Sequence, residues 1–236
     1  MAAIAVLAGS AGTAVADVVG NARAAEGKVA MCIGCHGIPG YRAAFPQVYK
    51  VPMLGGQNAK YLESALQEYK KGSRKFAPMQ AIAKSLTDQD IADLAAGDRS
   101  VANGGRATGE LMNKRIIEAS GVVKATIVAC ATVAAIGTVH AADAANGRAI
   151  VERTNCAACH GASMDGPANS DYPKLAGQYA DYLYWALRQY QMGGGNPSFG
   201  RDNTLMATQV QSLSESDLKD IAAYIESLKG DLVLKK

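Results

Sequence analysis

The sequence predicts an all-α protein of two tandem helical domains joined by a hydrophobic, signal-like helix. Three observations lead there. Residues 32–36 read CIGCH and residues 156–160 read CAACH. Beyond each motif the chain repeats itself: "LGGQNAKYLESALQEYKKG" at 54–72 matches "LAGQYADYLYWALRQYQMG" at 175–193, and "SLTDQDIADLAA" at 85–96 matches "SLSESDLKDIAA" at 212–223. Apolar residues recur at helical spacing, and no stretch shows convincing strand alternation. The repeat divides the chain into a signal-peptide-like segment (1–16), a first domain (17–97), a polar Gly-rich linker (98–111), an internal signal-peptide-like or helical segment (112–141) and a second domain (142–236).

Taken in order, "MAAIAVLAGSAGTAVAD" reads as a signal-peptide core with a cleavage site after Ala14-Val15-Ala16, although it lacks a basic start. An Ala-rich tail is the alternative. "ARAAEGKVAMCIGCH" and "AANGRAIVERTNCAACH" carry apolar residues at helical spacing up to the first cysteine. In "KYLESALQEYKKG", Leu62, Leu66 and Tyr69 share one face, and Gly72 is the expected C-terminal stop. Thr87 is the expected N-cap of the next helix, with Asp88 and Asp90 as first-turn acids; Ser214, Glu215 and Asp217 hold the same places in the second half. After Ala223 the second helix continues as "YIESLKG". In the first half Gly97 opens "GDRSVANGGRATGEL", so that helix is expected to stop at Ala96. The loop "GGGNPSFGRDNTL" is six residues longer than its counterpart and reads as a surface insertion.

The segment "MNKRIIEASGVVKATIVACATVAAIGTVHAAD" (112–143) has a basic start, an apolar run and a small-residue end. Three readings of it stand side by side: two neighbouring secreted proteins joined in one frame, a membrane helix over 116–139, or a helical linker packed between the domains. A single span would leave the two domains on opposite sides of the membrane.

Four of the five cysteines stand in C-x-x-C pairs, each followed at once by one of the three histidines. A redox C-x-x-C does not require the histidine. A pooled four-cysteine zinc site leaves the histidines unexplained. Covalent haem attachment explains all six residues: Cys32 and Cys35, then Cys156 and Cys159, bond the vinyl groups, and His36 and His160 offer an imidazole to each iron. The fifth cysteine, Cys130, lies alone in an apolar run. For the second axial ligand, His140 belongs to the segment expected to be removed or membrane-bound. Of the methionines, Met31 is too close to Cys32, Met53 aligns with Lys174, Met192 aligns with Lys71, and Met164 has no methionine counterpart. Only Met79 and Met206 align with each other. A methionine is more often a core gap-filler, but this aligned pair is the expected ligand set, His36/Met79 and His160/Met206.

The order C-x-x-C-H, then Pro52, Leu54, Gln57, Tyr61-Leu62 and Met79 ahead of a terminal helix resembles a class I cytochrome c. Pro173, Leu175, Gln178, Tyr182-Leu183 and Met206 form the same series. Two tandem class I cytochrome c domains resemble the dihaem cytochrome c4 type and the dihaem subunit of flavocytochrome c. The resemblance covers roughly 23–96 and 145–230. It implies three helices around each of two covalent haem c groups, low-spin His/Met iron and electron transfer in the bacterial periplasm. It also implies Pro52 and Pro173 near the proximal histidines, and Gln57 and Gln178 near the haem edges.

The net charge of +3 leaves no strong footprint for nucleic acid, and the halves are mildly opposite, +3 over 17–111 and −2 over 142–236. The functional expectation is a dihaem carrier passing single electrons between redox partner proteins, a membrane oxidase or dehydrogenase among them, with membrane association through 116–139 as a variant. The competing reading is a haem enzyme, or the haem-bearing subunit of one such as a sulfur-oxidising dehydrogenase. Filled axial sites leave no place for substrate, and no hydrolase, zinc-protease or nucleotide motif is present. The cluster "KKGSRK" (70–75) is a candidate docking patch for an acidic partner, to be tested by charge reversal at Lys71, Arg74 and Lys75.

Overall fold

A computed structural model describes residues 18–104 and 142–234. The first half contains α1 (Ala22–Ala25), α2 (Ala30–His36), α3 (Ala59–Lys71), α4 (Ala77–Lys84) and α5 (Asp88–Gly104). The second repeats the order with α6 (Ala144–Arg153), α7 (Ala157–His160), α8 (Ala180–Met192), α9 (Thr204–Val210) and α10 (Glu215–Ser227). In each half the N-terminal helix packs on the terminal one, α1 on α5 and α6 on α10, and the long middle helix, α3 or α8, closes against the same terminal helix.

The local signals act as their chemistry dictates. Gly72 ends α3 with φ +88°, in the left-handed region that glycine enters without a steric penalty. Thr87 and Asp90 exchange side-chain-to-backbone hydrogen bonds across the start of α5 (2.9 and 3.1 Å). Ser214 and Asp217 form the same capping box on α10 (2.9 and 3.1 Å). Asp93 and Asp220 are both buried and hold matching hinges: Asp93 accepts from the Asn21 amide at 2.8 Å, Asp220 from the Asp143 amide at 2.7 Å. A carboxylate on each terminal helix thereby anchors the start of each half.

The structure departs from the sequence reading in three places. Helix α5 does not stop at Ala96 but runs to Gly104. Gly97 is not a stop signal; a Cβ there would lie 2.7 Å from the Ala25 Cβ, so the missing side chain is what lets α1 approach α5. Short strands exist. β1 (Arg42–Ala43) pairs with β2 (Tyr49–Lys50) in the first half, and β3 (Arg74–Lys75) pairs antiparallel with β4 (Gly200–Arg201) across the two halves. Two-residue ladders are too short to show alternation in sequence. The long loop before Met206 is not purely surface, because Phe199 and Arg201 are each only 4% exposed. The signal-like segments at 1–16 and 112–141, with Cys130 and His140, lie outside the described residues. Among the described residues no helix is long and apolar enough to cross a membrane.

The halves meet through a pseudo-two-fold interface. Gln57 donates from Nε2 to the Lys174 carbonyl (2.9 Å) and accepts the Lys174 amide at Oε1 (2.8 Å). Gln178 does the same to Met53, at 3.0 Å in both directions. Lys174 is the repeat counterpart of Met53, and Gln178 that of Gln57, so each glutamine completes the other half's backbone. The chain end joins in, with Gly55 and Val233 exchanging backbone hydrogen bonds of 3.0 and 2.8 Å. An apolar cluster of Tyr49, Phe76 and Phe199, with Tyr182 and Trp185 against it, fills the seam beside β3 and β4.

Candidate functional site

Each C-x-x-C-H occupies a helical turn. Cys32, Cys35 and His36 lie at i, i+3 and i+4 along α2 and therefore share a face; Cys156 caps α7, which carries Cys159 and His160. His36 and His160 are buried, 7% exposed each, while Cys35 is exposed and Cys32, Cys156 and Cys159 are half-buried. Cys35, Cys156 and Cys159 are not in disulfides.

The histidines have one further partner each, and it decides their chemistry. His36 Nδ1 lies 2.8 Å from the Pro52 carbonyl oxygen, and His160 Nδ1 lies 3.1 Å from that of Pro173. A carbonyl oxygen only accepts, so Nδ1 carries the proton and Nε2 keeps its lone pair. Burial pushes both imidazoles below the ordinary histidine value, against the opposing carbonyl hydrogen bond, so both are neutral at pH 7. A neutral imidazole with Nδ1–H tied to a carbonyl is the donor an iron requires, with its ring orientation already set. The residues therefore fit a covalent haem in both halves. Among the described residues no three His, Cys, Asp or Glu side chains converge on one point, so the two C-x-x-C pairs do not pool into a zinc site.

Met79 and Met206 occupy the third position of equivalent short helices, α4 and α9, just ahead of the terminal helix, and both are half-buried. Met79 packs against the seam cluster of Tyr49, Phe76 and Phe199; Met206 packs against Tyr190, Val210 and Leu218. The Asn203 side chain accepts the Met206 amide at 3.0 Å and so fixes the first turn of α9. Met164, by contrast, is a core residue, 2% exposed among Ile150, Leu183 and Ile221.

Two side-chain sets escaped the sequence reading. Pro52 and Pro173 lie beside the histidines as the resemblance implied. Gln57 and Gln178, expected near a haem edge, have their amide groups committed across the interface. Arg74 and Arg201, 6% and 4% exposed, face each other as register partners in the β3–β4 ladder. Arg74 pairs with Glu68 and lies over the rings of Tyr61 and Tyr69; Arg201 donates to Gln189 Oε1 (2.6 Å) and lies over Tyr182 and Tyr190. Burial opposes both charges, but the surrounding tyrosine oxygens outweigh it, joined at Arg74 by the Glu68 carboxylate, and hold both guanidiniums above the ordinary arginine value. The aligned Arg and Tyr pairs were a signal in the repeat that points to this cluster.

The basic run 70–75 is not a docking patch. Arg74 is buried in the seam, Lys75 donates from Nζ to the Gly194 carbonyl of the other half, and Lys70 pairs with Asp88 at 2.8 Å. Only Lys71 of that run is exposed.

Comparison with known proteins gives the same picture. The cytochrome c family model matches residues 24–96 and 144–229. Cytochrome c4 of Azotobacter vinelandii is 28% identical over 225 residues, covering 92% of this chain and 93% of the relative. A thiosulfate dehydrogenase electron acceptor of Stutzerimonas stutzeri is 27% identical over 197 residues, covering 84% and 78%. Among solved structures, reduced cytochrome c4 from Pseudomonas stutzeri superposes with a TM-score of 0.58 at 25% identity, covering 89% of this chain and all of that one. The cytochrome c4 structure from Acidithiobacillus ferrooxidans gives 0.53 at 28% identity, covering 85% and 99%. The duplicated attachment motif, the two pre-oriented histidines and the twice-matched family model make one conclusion: this chain belongs to the cytochrome c family, as a tandem two-domain member similar to cytochrome c4 that carries two covalent haem c groups.

Proposed function

We propose that the chain is a periplasmic dihaem electron carrier whose two irons are each held between a histidine and a methionine. Cys32 and Cys35 bind the first haem and Cys156 and Cys159 the second. His36 and His160 are the proximal ligands, and Met79 and Met206 the distal ones. The observation that carries this reading is the repeated Nδ1–H to proline carbonyl contact, which leaves each Nε2 free to ligate. The haem groups supply reversible one-electron chemistry at iron. The chain's own residues attach them, orient the imidazoles, exclude water and hold the two halves in one fixed relation. With both axial positions filled by protein, no position is left for a substrate, which supports a carrier over an enzyme. A thioether in place of a second imidazole keeps both potentials high for the class.

The second reading is a haem-bearing partner of a sulfur-oxidising dehydrogenase. It is favoured by the similarity to the thiosulfate dehydrogenase electron acceptors of Stutzerimonas stutzeri and Thiomonas intermedia, the latter 35% identical over 89 residues.

Carbon monoxide binding to the reduced holoprotein tests the ligand set. The unaltered protein is expected not to bind; Met79→Ala and Met206→Ala are expected to bind one equivalent each, and the double variant two. Stoichiometric binding by the unaltered protein would show an open iron site and overturn the carrier reading. An intact denatured mass of each variant, with two haems per chain, confirms that the attachment is undisturbed.

A further inference from the structure

Each attachment histidine is tied to the opposite half of the chain through a single peptide group. His36 Nδ1 donates to the Pro52 carbonyl at 2.8 Å, and the N–H of that same peptide, carried by Met53, donates to Gln178 Oε1 at 3.0 Å. In the second half His160 Nδ1 donates to the Pro173 carbonyl at 3.1 Å, and the Lys174 N–H of that peptide donates to Gln57 Oε1 at 2.8 Å. A trans peptide points its C=O and N–H to opposite sides, so each plane meets an imidazole on one edge and the other half's glutamine on the other. Both glutamines also donate back, Gln178 Nε2 to the Met53 carbonyl at 3.0 Å and Gln57 Nε2 to the Lys174 carbonyl at 2.9 Å, which grips the backbone at two points. The glutamines are only 4% and 5% exposed, so water does not stand in for the acceptor while the halves are docked.

Hydrogen bonds in series polarise one another. An oxygen that accepts the peptide N–H pushes electron density onto the carbonyl of the same peptide, and that carbonyl then holds the imidazole Nδ1–H more strongly. An imidazole whose Nδ1–H is held more strongly is a better donor through Nε2, with its ring plane more firmly set. Nδ1 keeps its proton throughout.

We propose that Gln178 is a positioning residue for His36 and Gln57 for His160, each acting from the opposite half through one shared peptide. Docking of the halves thereby strengthens the donor at both irons at once. The relay assigns each glutamine to one iron by direct hydrogen bonds, and that iron lies in the other half from the glutamine. A stronger imidazole donor favours the ferric state, so losing a glutamine raises the potential of the haem across the interface and leaves that of its own half in place. This inference rests on reading His36 and His160 as iron ligands; it does not depend on the methionines.

The test is NMR of the ring Nδ1–H protons in the fully reduced holoprotein, each assigned through its contacts with Pro52 or Pro173, together with a redox titration followed haem by haem. Gln178→Met keeps the length of the side chain and removes the acceptor. It is expected to move the His36 signal upfield, leave the His160 signal unmoved, and shift the first haem's one-electron equilibrium by about tenfold, the lower end of what an outer-shell partner controls, or 59 mV. Gln57→Met should do the reverse, moving His160 and the second haem alone. Gln178→Glu keeps the acceptor oxygen but loses the Nε2 donor. A purely structural clamp is weakened by both Gln178 variants, whereas the relay predicts an upfield His36 signal in Gln178→Met only. Haem count and helix content report folding, and if one methionine variant does not fold, the other decides. A response in the glutamine's own half, an equal response at both histidines, or none would overturn this inference while leaving the dihaem reading intact. A high-spin spectrum of the unaltered protein would overturn the histidine ligation instead.

Discussion

Replacing Gln178 by alanine removes one of the two clamps between the halves. Three hydrogen bonds end on that side chain: Met53 donates its amide at 3.0 Å, Met53 accepts at its carbonyl at 3.0 Å, and the Tyr179 amide donates at 3.1 Å. Each is worth about 1 kcal/mol net, and a buried amide left without a partner costs at the upper end of that range. The side chain is 4% exposed, so water has little access before the seam opens. The loss is about 3 kcal/mol. With an m-value near 3 kcal/mol/M for a chain of this size, the urea midpoint of the holoprotein should fall by about 1 M. Gln57→Ala removes the mirror-image set to Lys174 and Asn58 and should cost nearly the same. Gln209→Ala, on the exposed face of α9, should stay within about 0.5 kcal/mol. A Gln178→Ala midpoint within about 0.2 M of the unaltered protein would refute the claim that these glutamines hold the halves together.

Gly147→Ala is expected to destabilise the second half by about 1–3 kcal/mol or more, read as a fall in thermal midpoint, because the new Cβ would come 2.0 Å from the Asp220 carbonyl oxygen of α10. The gain in helix propensity, about 1 kcal/mol, is the smaller effect, so a raised midpoint would contradict the packing. Asp93 gives the pH dependence. The Asn21 amide, Gln89 and Lys28 hold its carboxyl below the ordinary 3.8. Its folded value is the lower one, so its stabilisation is complete above 3.8 and is lost as pH falls below that value toward the folded one. Asp93→Asn should flatten the acid limb of a melting-temperature profile; an acid limb unchanged in the variant would assign acid sensitivity elsewhere.

The covalent haem attachment was legible in the sequence, for a physical reason. Haem attachment needs two thiols and an imidazole on one helical turn, so its residues are neighbours in the chain and their spacing survives as a motif. The caps at Thr87 and Ser214 and the stop at Gly72 were legible likewise, since each is satisfied by atoms within five residues. The proposed methionine ligands rest on the repeat, which aligns Met79 with Met206.

Gly97 shows where local reasoning fails. Glycine at a helix end and glycine at a close helix crossing look the same in one dimension, and only the approach of α1 separates them. The Gln57 and Gln178 clamps, the Arg74–Arg201 seam and the burial of Phe199 were decided by tertiary structure alone. Each joins residues more than a hundred positions apart, through contacts that exist only once both halves have folded and docked. The basic run at 70–75 read as a surface patch for the same reason, because sequence records the charge of Arg74 and Lys75 but not the second half that covers them.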